Sequence, residues 1–137
     1  MFDINITSDK NHTSIYKHTM KQIMQCPAER AVYFLGGKWK IRILFLLYQN
    51  KKNRFGEIKK VLQSVTQQML SKQLKELEID GLINRKVYQV VPPKVEYSLT
   101  DFGSSVIPVL RSLHEWNKKN GKTISNRLNK NFEEKRI

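Results

Sequence analysis

The chain has a single cysteine, Cys26, among its 137 residues. No disulfide framework is possible within one copy, which agrees with a reducing compartment. Long apolar runs are missing as well. The longest, Ile43 to Tyr48, is far short of the ~20 residues a membrane span needs. The start, Met1-Phe2-Asp3-Ile4-Asn5, has neither a basic leader nor an apolar signal core, so the expected location is the cytoplasm, with no membrane partner. Acidic residues are scarce: 12 Asp and Glu stand against 25 Lys and Arg, a formal net charge of +13. Such an excess implies a polyanionic partner, because basic side chains that neutralise phosphates release condensed counterions. Catalytic constellations are missing too. No glycine-rich phosphate loop or carboxylate–histidine cluster occurs, and one Cys with three scattered His offers no metal-ligand spacing. Cys26 could pair with His12, His18 or His114 as thiol and imidazole, but no local motif supports it. Neither an enzyme nor a cofactor is expected.

What is present is helical periodicity followed by a change of period. Hydrophobic residues make up 39% of the chain, enough for one compact domain with extra terminal elements. Ile15, Met20, Ile23 and Met24 outline one face of a short helix from Thr13 to Gln25. Cys26-Pro27 marks the start of another, carrying Ala28, Ala31, Phe34 and Leu35, and Gly36-Gly37 ends it. Trp39, Ile43, Leu46 and Leu47 form the core-facing stripe of a helix over Lys38 to Tyr48. Arg54-Phe55 suits a very short strand, and Gly56 to Leu62 a helix with Ile58, Val61 and Leu62 turned inward. Thr66 is a good N-cap for the next helix, in which Leu70, Leu74 and Leu77 repeat before Gly81. Ile83, Arg85, Val87 and Gln89 then alternate with Asn84, Lys86 and Tyr88, and Val95, Tyr97 and Leu99 alternate beyond Pro92-Pro93. Two such runs around a proline-containing loop read as an antiparallel hairpin. Thr100 caps a last helix with Phe102, Val106, Val109, Leu110, Leu113 and Trp116 in a stripe. Pro108 should kink or weaken it, and Asn120-Gly121 is a natural stop.

The expected fold class is therefore mainly α with a small β-hairpin (α+β). A short helix, a turn and a longer helix with a polar face make a helix-turn-helix, in which the second helix enters the major groove. Its polar face comprises Thr66, Gln67, Gln68, Ser71, Lys72 and Lys75. Glutamines suit adenine, Lys72 suits guanine or a phosphate, and Ser71 serves either. The plainer reading is a solvated helix face. The hairpin is the candidate wing, with Arg85, Lys86 and Lys94 placed to meet phosphates. Its plainer reading is an edge strand guarded by lysines against aggregation.

From Cys26 to Trp116 the chain resembles the HxlR-type transcription regulators, a branch of the MarR-like winged-helix proteins. The matching stretches are Cys26-Pro27, Gly36-Gly37-Lys38-Trp39, Arg54-Phe55-Gly56-Glu57-Ile58, the run from Met69 to Leu82, and Val91-Pro92-Pro93-Lys94-Val95-Glu96-Tyr97-Ser98-Leu99-Thr100. The resemblance implies a winged helix-turn-helix whose N- and C-terminal helices pair two copies. The expected function is that of a repressor binding a palindromic operator in double-stranded DNA as a homodimer. The alternative is a non-specific basic nucleic-acid binder. Leu110, Leu113 and Trp116 are the candidate dimer contacts, with the protomer's own core as their other reading.

The same resemblance makes Cys26 a candidate sensor of oxidants or small electrophiles. Its expected place at a helix N-terminus in a basic chain suits a reactive thiol, and a buried, inert thiol is the alternative. The domain organisation expected is an N-terminal extension over residues 1–25, the winged domain with its dimerisation helix over 26–120, and a basic polar tail over 121–137.

Overall fold

The computed structural model describes residues 25–135. The proposed helix from Thr13 lies outside them, except for its last residue. Five helices and a small sheet follow one another: α1 (Pro27–Leu35), α2 (Lys40–Asn50), β1 (Lys52–Arg54), α3 (Phe55–Leu62), α4 (Gln67–Ile79), β2 (Ile83–Tyr88), β3 (Lys94–Leu99) and α5 (Asp101–Glu134). The strands form one antiparallel sheet in the order β1-β3-β2. The β2–β3 pairing runs from Ile83 opposite Leu99 to Tyr88 opposite Lys94, which is the hairpin expected around Pro92-Pro93.

The core sits where α2, α3, α4 and the start of α5 converge. Ile43, Leu44 and Leu47 of α2 meet Ile58 and Leu62 of α3, Leu70, Leu74 and Leu77 of α4, then Leu82 and Ile83. α5 adds Ile107 and Leu110, and Arg111 donates from it to the Tyr48 hydroxyl of α2. α1 contributes no fully buried residue. It leans on the body through partly buried Phe34 and Leu35, with the Phe34 ring 6.0 Å from that of Phe102.

Several expectations need correction. The first strand comes earlier than Arg54-Phe55, because Arg54 ends β1 as the N-cap of α3 and its amide donates to Glu57 Oε1 at 3.3 Å. Val61 is 54% exposed, since Ile58 and Leu62, one turn apart, already define the inward line of α3. On α5 the buried line is Gly103, Ile107 and Leu110. Leu110 is 1% exposed and belongs to the protomer's own core, which removes it from the candidate dimer contacts, whereas Phe102 and Val109 are half exposed. Nor does α5 stop at Asn120-Gly121: it runs unbroken through Pro108 to Glu134. The left-handed glycines among the described residues are Gly37 and Gly81. Gly121 is not one of them, and inside a helix it costs only about 1 kcal/mol relative to Ala.

One contact fixes the register of α5. A Cβ added to Gly103 would lie 1.9 Å from the carbonyl oxygen of Leu82, so no side chain fits between the start of α5 and the backbone that follows α4. Gly103→Ala should destabilise the domain by about 3 kcal/mol or more, since the obstruction is main chain and cannot rotate away. Thermal unfolding by circular dichroism checks this, and an unchanged midpoint would contradict the close approach.

Candidate nucleic-acid interface

Thr66 opens α4, its Oγ1 accepting from the Met69 amide at 3.1 Å. That bond satisfies one of the otherwise unpaired amides of the first turn. Gln63 and Ser64 bend the chain from α3 into α4, Gln63 at a φ of 55°, and buried Val65 pins the turn to the core. α3, turn and α4 thus form the expected helix-turn-helix.

Burying Leu70, Leu74 and Leu77 leaves Gln67, Gln68, Ser71 and Lys75 exposed on the opposite side, with Lys72 half-buried beside them. A second anchor lies further along. Lys40 Nζ of α2 sits 3.0 Å from Glu76 Oε2 of α4, their side chains only 8% and 15% exposed. Breaking a pair buried this far leaves an uncompensated charge and costs roughly 3–5 kcal/mol, so α4 cannot easily rotate against α2. Gln73, missed in the sequence because it falls between polar neighbours, is 4% exposed, its amide donating to Met69 Sδ at 3.6 Å.

The sheet brings part of the wing to this helix. Arg85 lies opposite Tyr97 in the ladder and, with Ser71, Lys75 and Glu78, lines a cleft of about 340 Å³ between α4 and the hairpin. Three of the candidate residues are thereby joined: Ser71, Lys75 and Arg85. Lys86 and Lys94 stand apart from them, flanking the Tyr88 ring at 4.8 and 5.1 Å. Lys94 Nζ pairs with Glu96 Oε1 at 2.9 Å, and the Tyr88 hydroxyl donates to Glu96 Oε2 at 2.9 Å. The Lys94 ammonium, followed by the Tyr88 hydroxyl, holds the Glu96 carboxyl below its usual range. The basic tip of the wing therefore carries its own counterion. The alternation of Lys94 and Glu96 on one side of a strand, opposite Tyr88, was the available signal.

Elsewhere, Cys26 is the half-buried N-cap of α1, its carbonyl accepting from the Arg30 amide at 2.9 Å. Leu113 and Trp116 are 52% and 61% exposed on α5. No described helix is long and apolar enough to cross a membrane.

The family model for the HxlR-like helix-turn-helix matches residues 34–125. The chain belongs to the HxlR family. An HTH-type transcriptional regulator of Halalkalibacterium halodurans is 48% identical over 105 residues, 77% of this chain and 93% of that one. Among solved structures, the redox regulator HypR in its reduced form is 42% identical with a TM-score of 0.70, covering 74% of this chain and 99% of HypR; its oxidised form is 45% identical with a TM-score of 0.64, covering 69% and 97%. A MarR-family regulator from Enterococcus faecalis is 30% identical with a TM-score of 0.63, covering 90% and 99%. This HxlR protein is thus a winged helix-turn-helix transcription regulator, from a family of DNA-binding proteins and not of enzymes.

Glu96→Gln should release Lys94 for phosphate. Affinity for any duplex is expected to rise about threefold, and the slope of log affinity against log salt to steepen by up to ~0.9. Fluorescence anisotropy at several salt concentrations measures both. Unchanged values would place Lys94 out of reach of DNA.

Proposed function

We propose that this regulator binds a palindromic operator as a homodimer and acts as a repressor, with α4 in the major groove and the β2–β3 wing on the flanking backbone. The observation that carries this reading is the exposed face of Gln67, Gln68, Ser71 and Lys75, set beside Arg85 in one cleft. Gln68 and Lys72 read base edges, while Lys75 and Arg85 hold phosphates. Leu113 and Trp116, exposed on a helix that leaves the body of the domain, support pairing of two copies. Two-fold symmetry then sets the recognition helices about one DNA turn apart. Repression is the simplest output of a dimer seated on promoter DNA.

The two kinds of contact separate by experiment. Gln68→Ala or Lys72→Ala should cost ~1–3 kcal/mol at particular base pairs, and Lys75→Ala or Arg85→Ala should weaken all sequences alike. Binding selections across genomic fragments measure this. A protein with no preferred fragment would be a non-specific basic binder.

Cys26 is the proposed sensor. Its half-buried place at the start of α1 and the likeness to HypR, solved reduced and oxidised, support it. With one cysteine per chain, an oxidant that takes two electrons leaves a Cys26–Cys26 bond between copies, a mixed disulfide or a sulfenic acid. Wild-type protein treated with diamide should release DNA, and Cys26→Ser should not. Equal release from both proteins would remove the thiol from the mechanism.

A further inference from the structure

α5 outlasts the domain that defines its family: the family model ends at residue 125, and the helix continues to Glu134. The extra turns are amphipathic. Leu128 and Phe132, one turn apart, are 51% and 65% exposed, and every charge between Trp116 and Phe132 is positive, including Arg127 and Lys130. A surface of opposite character lies at the far side of the domain. The start of α2 and one flank of α1 meet the C-terminal end of α4 around an open groove of about 1010 Å³. Its walls are mainly apolar, with Val32 and Ile79 71% and 73% exposed. Its charged lining is three carboxylates, Glu29, Glu76 and Asp80, against one ammonium, Lys40. In a chain of net charge +13 this is an acidic, apolar recess, and a basic helix with apolar side chains complements it in both respects.

We propose that the part of α5 beyond residue 125 docks in the α1/α4 groove of a second copy. This rests on the homodimer proposed above and extends it. Leu128 and Phe132 cover Val32 and Ile79, while Arg127 and Lys130 face the carboxylates at the rim. Because the groove is partly built by the last turn of α4, its occupant also braces the partner's recognition helix.

The test uses the full chain. Leu128→Glu/Phe132→Glu should weaken self-association in sedimentation velocity by about tenfold or more, as loss of a buried apolar anchor does. Ile79→Glu, on the groove side, should do the same. Combining all three should cost little more than the worse variant, because both sides belong to one contact. If the doubly charged variant loses helix by circular dichroism, Arg127→Glu/Lys130→Glu leaves the apolar face intact and should also weaken pairing. Variants that dimerise as the wild type does, or effects that simply add, would overturn this docking alone. An unaffected Ile79→Glu dimer would give the groove to another occupant, such as residues 1–24, and overturn it too. A monomeric wild-type chain would overturn the homodimer reading along with it.

Discussion

The arrangement of this regulator depends on a main-chain contact with no room for a side chain. Gly103, in the first turn of α5, approaches the carbonyl of Leu82 so closely that a single added carbon would collide with it. Thr100 secures the same junction from both directions. Its hydroxyl donates to the Gly81 carbonyl at 2.6 Å and accepts from the Gly103 amide at 2.9 Å, while its own amide donates to Leu82 at 3.1 Å. Gly81 adopts a φ of 75° there, a conformation open to glycine at little cost. The end of the recognition helix and the start of the long helix are therefore one rigid corner. Whatever fixes the direction of α5 in a dimer also fixes the direction of α4 towards DNA.

The rest of the recognition helix is held by a different kind of force. The Lys40–Glu76 pair is nearly removed from water. It adds little net stability over an apolar pair of the same volume, yet it penalises any rotation that parts the two charges. Apolar packing by Leu70, Leu74 and Leu77 tolerates small slips, whereas the ion pair does not. A helix that must present Gln68 within hydrogen-bonding distance of a base edge gains more from the second property than from the first.

Legibility followed the range of the interactions. α4 could be read residue by residue because its cap, apolar spacing and terminal glycine are all local signals that agree. The hairpin was legible for the same reason, since its period changes on either side of Pro92-Pro93. The fate of Leu110 was not, because the rotation of α5 is decided by Gly103 meeting a backbone some twenty residues earlier in the chain. The pairing of Lys94 with Glu96 under Tyr88 depends on the cross-strand register, which alternation alone does not specify. The length of α5 was misread because Asn-Gly ends a helix only when the glycine turns left-handed, and Gly121 does not.

Charge is the remaining constraint, and its distribution matters more than its sum. A uniform +13 would attract DNA everywhere and oppose the meeting of two copies. Here carboxylates are placed where positive charge would be counterproductive. Glu96 tempers the wing, Glu76 neutralises a buried lysine, and Glu29 and Asp80 make the α1/α4 groove acidic. The polar face of α4, by contrast, carries Lys72 and Lys75 with no acidic residue between Thr66 and Lys75. Attraction to the duplex is thereby concentrated on the one helix able to read it, and repulsion between copies is lowered away from it. The same basic excess can then serve both association with DNA and association of the protein with itself.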